Sequence, residues 1–246
     1  MICGEQIETR DMGDMRVLAY LSTKQFRDCI DIGGVQRPWA SKFVTTYVDM
    51  VEPVEWVKRY PDMYDGHPEI WTSHLLIGDI EDDKTWEELL TTVFADGKFD
   101  FVICTQMAEH LSNPKKFFER LPLLADEGYI GVPNKYFEMG RGREFSEEGL
   151  KRLGLTSSYR GAFPHRWVYT AKDGVLVGLP KLGGIEVMDF GPMEKGWKHY
   201  EPLEWGQLGF FWKKEIPTRI INDSDIGFPH PKTAIDLYRN ILSEGL

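Results

Sequence analysis

Cysteine, positive charge and long apolar runs are all scarce in this chain, and each shortage removes a class of protein. Cys3, Cys29 and Cys104 are the only thiols among 246 residues. An odd, sparse set without a CxxC pair excludes a disulfide framework and predicts reduced thiols in a cytoplasmic setting. The six histidines, at positions 67, 74, 110, 165, 199 and 230, show no paired ligand spacing, so no metal is expected. Lysine and arginine total 29 against 39 aspartate and glutamate, a formal net charge of −10. Such a chain repels phosphate backbones, which argues against general nucleic-acid binding. No stretch approaches the roughly 18 uncharged apolar residues of a membrane span. Residues Met1 to Arg10 lack the basic start and apolar middle of a secretory signal. Absent too are GxxxxGKS/T and GxSxG, which removes P-loop and serine-hydrolase readings, and the lack of GxGxxG disfavours a nicotinamide-dependent oxidoreductase, which a fluorescence titration with NADH tests.

What the chain does have is 42% hydrophobic and 28% charged residues, enough apolar material for a sizeable core. Residues 1–28 carry Met12, Met15, Leu18 and Phe26 at helical spacing and read as a polar N-terminal helical arm. Five short apolar runs follow: Cys29 to Ile32, Thr45 to Val51, Leu75 to Ile80, Phe99 to Cys104 and Gly128 to Val132. Between them, residues 84–94 and 114–124 have helical patterns. Pro114 opens the second helix and Pro122 is expected to end or kink it early. Strands apolar on both faces, alternating with helices, predict a doubly wound, Rossmann-like α/β sheet. Residues 135–165 are rich in glycine and arginine and read as a lid or insertion on the substrate side. Strand-like runs return at Trp167 to Thr170, Val175 to Leu179 (equally readable as one helical turn), Ile185 to Phe190 and Gly209 to Trp212. A terminal helix occupies residues 231–246. With no repeat, low-complexity tract or linker, one domain is expected over 1–246.

Ligands of open parallel sheets bind beyond the carboxyl ends of the strands, where strand order reverses. The polar residues at those ends are therefore the candidates. Asp31, Gly33 and Gly34 close the first run, and glycines there let a backbone turn tightly beside a ligand. Asp49 closes the second run, eighteen positions after Asp31, a spacing suited to a carboxylate on a ribose diol. Asp79 closes the third, where a carboxylate can accept an adenine amine. Gln106 follows the fourth, ahead of Glu109-His110-Leu111 and Asn113-Pro114.

In these segments the sequence resembles the class I S-adenosylmethionine-dependent methyltransferases, in their small-molecule branch. The matching pieces are Ile30 to Gly34, Tyr47 to Asp49, Gly78 to Glu81, Phe99 to Pro114 and Gly128 to Asn134, together roughly residues 28–135. The resemblance implies a seven-stranded, mostly parallel sheet whose last strand is antiparallel, with Gly209 to Trp212 as that strand and Ile185 to Phe190 beside it. It implies S-adenosylmethionine as cofactor, with residues near Gly33 at the methionine moiety, Asp49 at the ribose, Asp79 at the adenine and Gln106 at the sulfonium side. Val35 and Arg37 replace two of the family's alternating glycines. Gly34 then supplies flexibility one position early, and Gln36 or Arg37 is the candidate for the donor's carboxylate. His110 and His165 are candidate general bases, each with a plain structural alternative. Arg166 is a candidate for binding an acidic group and Trp167 for stacking on a sugar or ring, although a tryptophan is more often core. Arg141, with Arg143, reads either as an anion clamp or as a solvated loop. The expected reaction is methyl transfer to a small polar acceptor, foremost a sugar or glycan hydroxyl. N- or C-methylation of a metabolite or protein, and a non-catalytic binding domain, are the alternatives; oligomeric state is left open.

Overall fold

The computed structural model describes residues 4–140, 160–162, 164–182, 185, 190, 206–221 and 231–242. Its central sheet has seven strands: β1 (Gly4–Thr9), β2 (Cys29–Ile32), β3 (Val44–Asp49), β4 (His74–Ile77), β5 (Phe101–Thr105), β6 (Glu127–Pro133) and β9 (Gly206–Lys213). The order across the sheet is β1-β9-β6-β5-β2-β3-β4. Strand β9 runs antiparallel to both neighbours, so the other six are mutually parallel. The chain therefore has the doubly wound, mostly parallel α/β architecture that its alternating pattern predicts.

Each interior strand is apolar on both faces because both faces are covered. Ile30, Ile32, Val102, Cys104, Ile130 and Val132 point to one core, together with Trp86 and Leu89 of helix α3 (Asp83–Asp96) and Phe117, Phe118 and Leu121 of helix α4 (Pro114–Leu124). Cys29, Tyr47, Phe101, Ile103 and Tyr129 point to the other, against Val17, Tyr20 and Leu21 of helix α1 (Arg10–Lys24). The alternation along each strand is the period-two rule at work. Helix α2 (Pro53–Arg59) closes the same side, with its Trp56 packed on that second core.

A second, three-stranded sheet lies on the α4 side. The hairpin of β7 (Trp167–Lys172) and β8 (Val175–Pro180) is antiparallel, and β10 (Thr218–Ile220) adds parallel to β8. Trp167, Tyr169 and Leu176 face the central sheet. Val168 and Leu179 face outward into a third cluster, with Tyr136 and Met139 of helix α5 (Lys135–Met139) and Tyr238 and Leu242 of helix α6 (Pro231–Leu242).

Three expectations change, and one open alternative is resolved. The arm of residues 1–28 is a strand followed by a helix: β1 pairs along β9, whose far edge would otherwise leave backbone groups unbonded. That same pairing puts β1 at the sheet edge expected for Ile185 to Phe190. Ile185 and Phe190 pack in the third cluster, and residues 186–189 lie outside the described residues. Helix α4 runs through Pro122 to Leu124, because a proline two residues from the end removes only one late hydrogen bond. Val175–Pro180 is a strand, paired along its whole length with β7. Of the expected lid at 135–165, residues 141–159 and 163 lie outside the described residues. Much of its described ends, Tyr136, Glu138, Met139 and Arg160 among them, is buried. No described helix is long and apolar enough to cross a membrane.

Candidate active site

Strand order reverses between β2 and β5, so their carboxyl ends open the crevice where such sheets bind ligands. Gly33 leaves β2 with φ +80°, and its N–H donates to Val48 O at 2.8 Å. A Cβ on Gly33 would lie 2.9 Å from Met107 Cγ, which shows how closely the two loops meet across the switch point. A Cβ on Gly34 would lie 2.0 Å from Asp31 Oδ2. The fully buried Asp31 carboxylate therefore folds under the turn and shapes it. Arg37 bonds Asp11 at 2.8 Å and Asp14 at 3.2 Å, both on α1, so the candidate for the donor's carboxylate is engaged as a tie between the turn and that helix.

Asp49 ends β3 level with Ile77 at the end of β4. Its Oδ1 accepts from Val51 N at 3.1 Å. Burial pushes its carboxyl up, and the N–H groups of Val51, Val35 and Met50 pull it part of the way back. Asp79, exposed one strand further, accepts from Glu81 N at 2.8 Å in a tight turn. Gln106 has the left-handed φ of +54°, uncommon for a residue with a side chain and concentrated at functional sites. Its N–H donates to Gly131 O at 2.7 Å, and its Nε2 donates to Gln207 Oε1 at 3.2 Å. Gln207 in turn donates to Tyr129 Oη at 2.7 Å. Gly131 leaves the room for it, since a Cβ there would lie 2.8 Å from the Gln207 amide.

Past Gln106, the 3₁₀ turn Ala108–His110 carries a second group of polar side chains. Three bonds from the small sheet hold this turn: Arg166 N to Glu109 O at 2.7 Å, Trp167 Nε1 to Leu111 O at 2.7 Å, and Tyr169 Oη to Ala108 O at 3.1 Å. They bring His165, just ahead of β7, against His110, with ring centroids 4.7 Å apart at 84°. The side chain of Glu109, only 1% exposed, aims at both: its Oε1 is 3.9 Å from His165 Nε2 and 4.0 Å from His110 Nε2. His165 Nδ1 hydrogen-bonds Glu138 of α5, and Lys181, just past β8, donates to Glu138 Oε2 at 3.0 Å. The two rings are perturbed in opposite senses. Burial, and then the neighbouring His165, push His110 down to about 4. Burial alone would lower His165 too, but the Glu138 hydrogen bond and the charges of Glu138 and Glu109 more than offset it and raise it.

The cluster thus unites His110 and His165, fifty-five positions apart in the chain, with Gln106 on the loop leading into it. Trp167 is buried in the core, with its N–H donating to Leu111 O. Arg166 is exposed beside the cluster, and Arg141 lies outside the described residues. Glu109, Glu138, Lys181 and Gln207 were not singled out from sequence. Glu138 and Lys181 sit in no motif, and only the packing of α5 on the small sheet joins them.

A sequence profile of the methyltransferase domain family matches residues 8–173, about two thirds of the chain. The chain belongs to this family. Its described residues suit a nucleoside such as S-adenosylmethionine: a glycine turn with no room for side chains, and carboxylates at successive strand ends. No curated protein matches it. Among solved structures it is similar to a protein of Bacillus halodurans C-125 named as a methyltransferase (22% identity, 48% of this chain and 51% of that one, TM-score 0.33). It is also similar to the small RNA methyltransferase HEN1 (12% identity, 85% of this chain and 26% of that one, TM-score 0.44). A third is the N-terminal domain of EvdMO1 with SAH and D-fucose (15% identity, 53% of this chain and 54% of that one, TM-score 0.36). The chain thus spans about half the length of the first of these chains and about a quarter of the second.

Proposed function

We propose that the chain transfers the methyl group of S-adenosylmethionine to a hydroxyl oxygen of a small acceptor of the sugar type. The observation that carries this reading is the Glu109–His110–His165 cluster, which follows Gln106 directly at the end of β5, beside the glycine turn of β2. In this reading Gly33 and Gly34 admit the methionine part of the donor, Asp49 accepts from the ribose hydroxyls, Asp79 faces the adenine, and Gln106 borders the sulfonium. The donor supplies a methyl carbon on a positive sulfur, so the carbon–sulfur bond breaks toward sulfur as the acceptor oxygen bonds to carbon. The chain's own work is orientation, exclusion of water, and a place for the hydroxyl proton. The imidazole–carboxylate cluster is that place, and the exposed Arg166 beside it is suited to an anionic substituent. A net charge of −10 favours a small acceptor over a nucleic acid.

Calorimetry with S-adenosylhomocysteine, together with a methylation screen of sugars, nucleotide-sugars and amines, tests the reading. Micromolar binding, transfer to a hydroxylated acceptor, and loss of transfer but not of binding in His165→Ala support it. Silence toward S-adenosylhomocysteine supports a binding domain that has lost the donor, and transfer confined to amines moves the acceptor atom to nitrogen.

A further inference from the structure

The Glu109–His110–His165 cluster has a geometry that proton handling alone does not require. One ligand-type atom from each side chain lies within 4.8 Å of the other two. The two distances from the carboxylate oxygen are 3.9 Å and 4.0 Å. Metal–nitrogen and metal–oxygen bonds of about 2.0–2.2 Å set ligand pairs on one ion roughly 3–4 Å apart. Small rotations of the rings therefore suffice to bring all three atoms onto a common centre.

We infer that Glu109, His110 and His165 bind one divalent transition-metal ion, whose remaining positions take the hydroxyl oxygen of the acceptor. Both rings already have the outer contacts that fix a metal-bound imidazole. His165 engages the Glu138 carboxylate through Nδ1, leaving Nε2 toward the centre, and the His110 ring hydrogen-bonds the backbone of Pro164. Such partners set the tautomer and aim the free nitrogen. Lys181 holds Glu138 from behind at 3.0 Å and Ala162 O at 2.8 Å, which makes the support rigid.

Two imidazole nitrogens and one carboxylate oxygen suit manganese, iron, cobalt, nickel or zinc; calcium and magnesium prefer oxygen alone. The His110 side chain is 43% exposed, so the centre opens on one side to solvent and an acceptor while Glu109 closes the other. With the imidazoles occupied as ligands, the ion takes over their part in the proposed reaction: an acceptor oxygen on it loses its proton to solvent water more readily, and its lone pair then forms the bond to the methyl carbon. Sequence spacing gave no hint of the site, because the second histidine arrives from a hairpin more than fifty residues downstream of the Glu-His pair.

This inference rests on the cluster being the acceptor site, and the two can fail separately. Full-length protein stripped with EDTA and desalted is titrated with MnCl2 and CoCl2, and bound metal is counted by plasma mass spectrometry after dialysis. One ion per chain is expected, with cobalt absorption bands typical of mixed nitrogen and oxygen ligands. Affinity falls by about 100-fold in both His110→Ala and His165→Ala, while S-adenosylhomocysteine affinity is unchanged. His110→Ala, at the half-exposed ring, keeps the test informative if His165→Ala fails to fold. Substoichiometric metal in the wild type, or equal affinity in wild type and His110→Ala, overturns the inference. Methylation that persists in metal-free protein yet disappears in His165→Ala also overturns it and leaves the proposed function standing. Stoichiometric metal lost in both variants, in a protein that ignores S-adenosylhomocysteine, supports the site and sinks the donor reading.

Discussion

At the scale of single residues, the turn after β2 works by exclusion. Asp31 is fully buried and its carboxylate occupies the space that a side chain at position 34 would need. Gly34→Ala forces that carboxylate to move within packed surroundings, a strain that typically costs about 1–3 kcal/mol. We expect a destabilisation of about 2 kcal/mol by chemical denaturation and a loss of S-adenosylhomocysteine binding by calorimetry. Gly34→Ala with wild-type values in both would show that the turn adapts freely. Glu81 makes a different kind of tie. One carboxylate oxygen accepts from Ser112 N at 2.8 Å, Ser112 Oγ at 2.6 Å and Asn113 N at 3.0 Å, binding the loop after β4 to the segment after His110. Its partial burial raises the carboxyl, but the Ser112 and Asn113 bonds outweigh it and hold the group below its ordinary value. A carboxyl depressed in the fold contributes stability above its unfolded value, near 4.3, that is lost as pH falls through the folded value. Because this group faces solvent, its tie is worth about 1 kcal/mol, not more. Thermal melts of wild type and Glu81→Gln should therefore differ at pH 7 and converge toward pH 3.

At the scale of elements, what could be read in advance follows from where the burial signal is strong. Strands β2, β3, β5 and β6 are apolar on both faces, so they stand out against the helices between them. The glycine and carboxylates at their ends follow from the same pattern. Strand β1 gives no such signal: Gly4-Glu5-Gln6-Ile7-Glu8-Thr9 is mostly polar, and only the open edge of β9 makes it a strand. Pairing between segments two hundred positions apart is not encoded in local periodicity, and the same holds for β10. Trp167 leaves both a ring-stacking and a core reading open in the sequence, because only the folded chain shows its N–H bonded to Leu111. If β1 serves to cover β9, deleting residues 1–9 should lower the melting temperature and expose the β9 edge, a template for association with other chains. Light scattering should then show concentration-dependent oligomers that the intact chain does not form. An unchanged melting temperature with no new oligomers would mean that β1 adds little to the sheet.

At the scale of the whole molecule, the two halves of the proposed reaction rest on different layers. The donor side belongs to the ends of β2, β3 and β4 in the central sheet. The second imidazole of the acceptor side is carried by the small sheet and anchored through Glu138 to α5 and through Lys181 to the end of β8. That division makes the two sides separable by substitution. Glu138→Gln removes one partner of a buried ion pair, which costs about 3–5 kcal/mol because the Lys181 charge is left behind. The double variant Glu138→Gln, Lys181→Met removes both charges and should recover much of that stability. Neither variant touches the glycine turn or Asp49, so S-adenosylhomocysteine affinity should stay within about twofold of wild type in both, well under 1.4 kcal/mol. Turnover should fall by about 100-fold in both, because His165 has lost the carboxylate that orients its ring. Recovery of turnover along with stability in the double variant would reduce Glu138 to a folding residue. Loss of donor affinity in either variant would show that the layers are coupled.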